Sequence, residues 1–518
     1  MHKINISIIT MILLCTSLLY GCSNNETTDI GTKDNSDLSS EESTDKNPEE
    51  IAANTAQEAD TDSSDIYGDL FTQNTISKIN IKITDTDWQA LLADPLTETY
   101  YSADIEINGE TIKNVGFRTK GFSSLSSVAN SDSDRFGFKV KFDEFVKDQN
   151  YNGLNKCVLN ASFSDPSYMR EFLTYNALSY LDATTPEIEY TQLSINGELY
   201  GLYLCVESLD DSFVERVTDT SSKDTCLYKA ESESCTLNTD TDVSSFELQY
   251  GEDEGNTHIS ELITELNSMP EGEKGNIETI LDVDSVLKAI AVNTVMGNYD
   301  SYSGSKAHNY YLLYNNGQFE YLAWDFNMSM GGFSEDSGAS VTADVNTAIF
   351  NTTLEERPLI KNLLAVPEYK AKYLEYVNSL VEYLGDFEGS VSAVADLIRE
   401  DVETDPTAFY TSAQFEENII ASDADLSTVV AAVGKDGQGQ NPISGKMPNN
   451  IERPYGKELP DDAQQPNGQY APDGMDNPSF EADLYTKGIG GGMINSEAVS
   501  IVDYVTQRIA NIKEQLSE

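Results

Sequence analysis

"GNYDSYSGSKAHNYYLLYNNGQFEYLAWDFN", residues 297–327, joins the two textures of this chain. Helical apolar spacing runs into it through "VDSVLKAIAVNTVMGN" and stops near Asp300. A polar loop then reaches Asn309, and two apolar segments turn over Asn316-Gly317 before ending at Trp324-Asp325-Phe326-Asn327. Asn-Gly between such segments is a strong hairpin signal, because both central residues of the tight turn need positive φ. Two carboxylates and an amide therefore stand at the ends of elements that read as core. Asp325 lies between two aromatic residues after an apolar strand, where an unpaired carboxylate is costly.

Upstream of this stretch the texture is mostly strand. "ISKINIKITDTDWQALLADP" reads as a strand and then a short helix entered at Thr84 or Asp85, with Trp88 on its apolar side. "YYSADIEINGETIKNVGFRTKGFSS" is a hairpin over Asn108-Gly109, and "YTQLSINGELYGLYLCVESL" is another over Asn196-Gly197. "RFGFKVKFDEF" alternates as a further strand. Between them "SDPSYMREFLTYNALSYL" has helical spacing, with Ser164 or Asp165 expected as its cap and Pro166 in its first turn.

From "ISELITELNSM" onward helices dominate: "VDSVLKAIAVNTVMGN", apolar on nearly every face, then "PLIKNLLAV", "EYKAKYLEYVNSLVEYL" and "SVSAVADLIREDV". Residues 434–492, rich in Gly, Pro, Asn, Asp and Gln without periodicity, read as a flexible insertion before a last amphipathic helix, "SIVDYVTQRIANIKEQL". Strands early and helices late predict an α+β chain: a sheet-bearing lobe, a helical lobe and a cleft between them.

The first residues, "MHKINISIITMILLCTSLLYGC", combine a basic start with an apolar run too short to span a bilayer comfortably. Residues 1–21 read as a signal peptide. Leu19-Tyr20-Gly21-Cys22 resembles a bacterial lipobox, which would make Cys22 the lipidated first residue of the mature protein. The following segment, to residue 68, is acidic and poor in branched and aromatic side chains. It cannot bury enough apolar surface to offset its ordering entropy, and is expected to be a disordered tether reaching roughly 35–40 Å. Residues 69–400 then form the main domain, and 401–518 a helical C-terminal extension carrying the insertion.

Asp and Glu number 88 against 32 Lys and Arg, a formal net charge of −56 at pH 7. Nucleic-acid binding, which needs clustered cations, is thereby disfavoured, as is broad binding to anionic lipid. An anionic ligand must be held locally, by a few cations or by metal ions. Beyond Cys15 and Cys22 the cysteines are Cys157, Cys205, Cys226 and Cys235, with no CxxC pair, and the histidines are His2, His258 and His308. A structural zinc site does not fit that set. Cys226 and Cys235 could close a short disulfide in an exported protein, or all four could be buried free thiols.

Taken in order, the polar residues form a pattern. "GFRTKGFSS" offers Arg118 and Lys120, "FKVKF" offers Lys139 and Lys141, and "MREF" offers Glu171; Asp300, Asn309 and Asp325 follow. Phosphoryl transfer needs cations on the donor phosphates, oxygen ligands on a divalent metal and a carboxylate facing the acceptor hydroxyl. A protein kinase supplies these in the same chain order. Each residue also has a plainer reading, as an exposed strand charge, a solvated helix acid or a turn former. Lys139 and Lys141 share a strand face, so alternation does not choose between them. GxGxxG and HRD motifs are absent, and so is a GxSxG elbow that would give His308 a hydrolase role.

The chain resembles the spore coat protein H family, the CotH-type atypical kinases. The resemblance is carried by "VGFRTKGFSS", "FKVKFDEF", "DPSYMREFLTYNAL", "INGELYGLYLCVESLDDSFVER", "LYKA", "GNYDSYSGSKAHNYYLLYNNGQFEYLAWDFNMSMGG" and "RPLIKNLLAVPEYKAKYL". It implies a remote protein-kinase-like, two-lobed fold that binds ATP with Mg²⁺ or Mn²⁺ and phosphorylates serines of surface or coat proteins. By motif, Asp300 would be the catalytic aspartate, and Asn309, Asp325 and Asn327 the metal ligands. Arg118, Lys120 and Lys139 or Lys141 would contact phosphate, with Glu171 orienting them. Asn327 stands where members often carry a second acid, which weakens the case for two metals. The expected protein is an extracytoplasmic kinase, held to the bacterial membrane only by its lipid. The alternative is an inactive kinase-like scaffold serving surface display or adhesion.

Overall fold

In a computed structural model, the described residues are 67–72, 75–218, 224–333, 339–422, 424–426 and 499–517. The expected signal peptide, Cys22, nearly all of the tether and the 434–492 insertion lie outside them. The chain runs β1 (Ser77–Ile83), α1 (Asp85–Ala93), β2 (Tyr101–Ile107), β3 (Glu110–Lys120), α2 (Ser123–Ala129), β4 (Gly137–Lys141), β5 (Lys156–Asn160), α3 (Arg170–Tyr180), β6 (Ile188–Ile195), β7 (Glu198–Glu207) and α4 (Asp211–Val217). It continues through β8 (Cys226–Ala230), β9 (Phe246–Tyr250), α5 (Thr257–Ser268), α6 (Val283–Val295), β10 (Tyr310–Asn315) and β11 (Gln318–Ala323). Five further helices are described: α7 (Pro358–Ala365), α8 (Pro367–Tyr383), α9 (Phe387–Thr404), α10 (Ser412–Ile419) and α11 (Ile501–Ser517).

The mixed α+β class expected from the sequence is observed, but the early strands do more than form a sheet. They close into a barrel in the order β1-β2-β3-β4-β5-β7-β6. The closing seam is a parallel pairing of β1 with β6 that aligns Ile79 with Leu193 and Ile81 with Ile195. Alternation sends Ile79, Ile81, Ile105, Val115, Phe117, Phe138, Val140 and Leu159 into the barrel interior, all essentially buried. Closure leaves no edge strand to pair with another chain. All three Asn-Gly turns form as expected, with both central residues at positive φ at Asn108-Gly109, Asn196-Gly197 and Asn316-Gly317. Thr84 caps α1 by accepting from Asp87 N at 3.1 Å, and Trp88 packs on the rings of Phe138 and Tyr200.

A second sheet, β11-β10-β8-β9, shares a large core with the helices. Helix α6 is buried over nearly its whole length, as its all-round apolar pattern required. The C-terminal helices contribute Val402, Phe415, Ile419, Ile501, Tyr504 and Ile512 to the same core. Strand β5 links the two interiors: Cys157 and Leu159 face the barrel, while Val158 between them joins the larger core. All four described cysteines are free and buried, so of the two readings left open for Cys226 and Cys235 the thiols are found.

One helix boundary differs from expectation. Helix α3 begins at Arg170, not after Asp165, and Pro166 lies outside its first turn. Asp165 instead closes a local turn, accepting from Ser167 N at 3.0 Å and Arg170 N at 2.9 Å, and pairs with the Arg170 guanidinium at 2.5 Å. Competition from this Asx turn postpones the helix.

Barrel and helices are strutted by a buried ion pair. Arg135 and Asp405 side chains are both fully buried, 2.7 Å apart, and Arg135 also donates to Ala161 O at 2.9 Å. Gly201 has to be glycine here, because a Cβ would strike both partners. Arg135→Met leaves Asp405 charged and buried, and is expected to cost about 3–5 kcal/mol. Urea unfolding should show a lower midpoint at unchanged slope, largely restored by adding Asp405→Asn.

Candidate functional site

The outer face of β3, β4 and β5 carries several cationic side chains. Because Val115, Phe117 and Thr119 face inward, Arg118 and Lys120 face out; Lys139 and Lys141 do the same on β4, and Lys156 on β5. The register sets Arg118 directly opposite Lys139, and Lys141 opposite Lys156. Like charges opposed across a ladder are destabilising. In a chain of net charge −56 this is a local concentration of cations, part of it answered by neighbouring carboxylates.

Within that face the residues divide. Lys141 is turned aside to Glu144 at 2.7 Å. Lys156 pairs with Asp210 at 3.1 Å. Arg118 pairs with Glu98 and lies 5.0 Å from the centre of the Tyr100 ring. Lys139 makes no ion pair with the described residues; burial, aided by Arg118 and Lys156 and opposed by Asp210, pushes it down to about 8. Asp210 is pushed up to about 6 by its burial, against the pull of Lys156 and Lys139.

Lys120 ends β3 and is joined to Glu171 through an intermediary. Its Nζ donates to Asn160 Oδ1 at 2.7 Å, and Asn160 Nδ2 donates to both Glu171 oxygens at 3.0 and 2.9 Å. Asn160 ends β5, two strands from Lys120, and Glu171 occupies the first turn of α3. Burial lowers the Lys120 pKa, opposed by Asp325 and Glu171. Burial, with the charge of Asp325 added, raises that of Glu171. The sequence pointed to Lys120 and Glu171; the amide between them gave no signal of its own.

The opposite wall comes from the 297–327 stretch. Pairing of Tyr310 with Ala323 extends by one step, so Trp324 N donates to Asn309 O at 3.1 Å and the hairpin brings Asn309 beside Asp325. Both adopt positive φ, 58° and 62°, a region that Asn and Asp tolerate better than other side chains. Asp300, four residues beyond Met296, the C-cap of α6, is held from two sides. His308 Nε2 lies 2.8 Å from Asp300 Oδ1, and Asn309 Nδ2 donates to Asp300 O at 2.8 Å and Oδ2 at 3.2 Å. Burial raises the Asp325 pKa, with Lys120 opposing and Asp300 adding; His308 and Lys229 also act on it. Lys229, in the "LYKA" segment on β8, is paired with Glu231 and is near enough for its charge to act on Asp325, with neither spacing nor period to mark it. Asn327 uses its amide nitrogen to donate to Phe163 O at 3.2 Å.

For a divalent ion the donor set is lopsided. Among the described residues no three His, Cys, Asp or Glu side chains converge as a metal site. None donates a hydrogen bond to the half-buried Asp325 carboxylate. Asn309 spends its amide nitrogen on Asp300. One carboxylate and one amide oxygen fit Mg²⁺ carried in on nucleotide phosphates, since that ion takes one or two protein oxygens and keeps waters.

Two comparisons bear on this arrangement. The CotH kinase protein family matches residues 117–430. The chain is also similar to the inner spore coat protein H of Bacillus subtilis (strain 168), with 26% identity over 279 residues, 51% of this chain and 73% of that protein.

Proposed function

The chain belongs to the CotH kinase protein family, and from that premise we propose that it transfers phosphate from metal-bound ATP to serine hydroxyls of surface or coat proteins. The observation that carries this reading is that Lys120, relayed through Asn160 to Glu171, lies close enough to Asp325 for their charges to act on one another, while Asn309 beside Asp325 holds Asp300. The barrel with its cations plays the part of a kinase N-lobe, and the helices with the β10–β11 hairpin that of a C-lobe. Lys120 and Lys139 bind the donor phosphates, and Asn160 with Glu171 fixes the Lys120 ammonium. Asp325 and the Asn309 oxygen would hold the metal, which would supply neutralisation of phosphate charge. Asp300, oriented by His308 and Asn309, meets the acceptor hydroxyl. A lipid on Cys22 and the acidic tether place the enzyme outside the cell membrane; the coat location in the Bacillus relative's name is in keeping with an extracytoplasmic site.

Incubating the 69–518 protein with γ-labelled ATP, Mg²⁺ or Mn²⁺ and a cell-surface extract tests the proposal. Label on serine is expected, and metal-dependent ATP binding without label on any protein would refute the transfer.

The lowered Lys139 makes donor binding pH-dependent. This lysine is cationic below about 8 and neutral above, so its attraction for phosphate is present below that value and lost as pH rises. ATP affinity is expected to fall by up to about tenfold per pH unit above 8. Lys139→Arg, charged throughout, should flatten the profile in calorimetric titrations.

A further inference from the structure

Helix α11 follows the family-matched region, yet it is tied to the end of α6 and, through a residue just before it, to the start of α3. Arg508, fully buried, spends its guanidinium on backbone carbonyls: Nε and Nη2 on Thr294 O at 3.1 and 3.0 Å, Nη1 on Val341 O at 3.1 Å and Ala343 O at 2.6 Å. Thr294 is in the last turn of α6, where carbonyls lack helical partners and cations are favoured. One turn earlier on α11, the Tyr504 hydroxyl donates to Ser340 Oγ at 3.0 Å. Its hydroxyl fills the space where Gly297 would carry a Cβ. Gly297 has φ 62° and turns the chain out of α6 toward Asp300. Asn298 N then returns to Asn293 O at 2.8 Å, and Ser301 Oγ donates to Asn298 O at 2.7 Å, so hydrogen bonds join this end of the helix to the Asp300 loop.

Just before α11 the chain reaches the start of α3. Val499 O accepts from Arg170 Nη2 at 2.9 Å, and Arg170 adjoins Glu171. Arg170 Nε also donates to Ser329 O at 3.0 Å, and Met330 N donates to Met296 O at 2.7 Å, so the segment after Asp325 is caught between Arg170 and the end of α6. Asp503 anchors the helix by accepting from Ser422 N at 2.8 Å.

We infer that α11 is a brace for the reaction, with Arg508 and Tyr504 as positioning residues that set Asp300 against the donor-binding barrel face. The inference rests on Asp300 being the catalytic aspartate for its kinetic consequence, but not for its structural one. Arg508→Met should accelerate amide hydrogen exchange in residues 293–303 and leave residues 101–120 of the barrel unchanged. Its ATP affinity should stay within about twofold of wild type, while turnover falls about 10²-fold, the scale of a misplacement of about 1 Å. Gly297→Ala pushes the same contact from the loop side, and should reproduce both effects. Removing the obstructing ring with Tyr504→Ala in that background should recover part of them. Unchanged exchange at 293–303 in both single variants would overturn the brace, as would an equal rise in the barrel. If exchange moves as expected but wild type transfers no phosphate, the brace stands and the assignment of Asp300 falls.

Discussion

Asp300→Ala is expected to reduce phosphate transfer by about 10²–10⁴-fold, the range for losing a positioned general base. It should leave metal–ATP affinity nearly unchanged. The carboxylate is fixed by His308 and Asn309 on the wall opposite the cations, so the donor's contacts survive its removal. Asn309 loses one of its two bonds to Asp300 but keeps the one to the backbone carbonyl. Initial rates beside calorimetric ATP titrations check this. A parallel loss of binding would mean that Asp300 acts on metal or nucleotide.

Asp325→Asn should fail differently. It removes the charge proposed to face the metal while keeping a side chain that tolerates φ near 62°. ATP affinity in Mg²⁺ should drop by about 10²-fold or more, the scale of losing one partner of a buried charge pair, and turnover with it. Stability should move the other way. The folded-state pKa of Asp325 is raised by burial, so the group favours folding at low pH and opposes it at neutral pH, where its ionised form is desolvated. The variant should therefore melt at or above the wild-type temperature at pH 7, the trade expected of a residue kept for function. A lower melting temperature with unchanged ATP binding would make Asp325 structural.

What could be read from the sequence follows from how local each signal is. The three Asn-Gly hairpins and the buried α6 are written in adjacent residues, and they form as read. Barrel closure is not local: β1 pairs with β6 across more than a hundred residues, and alternation identifies a strand without naming its partner. The same limit applied at the site. Order along the chain brought out Lys120, Glu171, Asp300, Asn309 and Asp325, and the fold gathers them. Period two left Lys139 and Lys141 equal, and only the neighbours separate them, since Glu144 takes Lys141. Asn160 and Lys229 lie in ordinary strand sequence and gain meaning from what stands across from them. Ser164 and Asp165 have the composition of a cap, but the local turn closed by Asp165 outcompetes the helix start.

In the function proposed here, ATP is held through barrel lysines and through a metal on Asp325. Calorimetric titration of the 69–518 protein with ATP near pH 7, with Mg²⁺ or Mn²⁺ and then with EDTA, tests it most directly. Saturable one-to-one binding that appears only with the divalent ion, and weakens in Lys120→Ala, is the predicted result. No binding under any of these conditions would contradict the account and leave the chain as an inactive kinase-like scaffold.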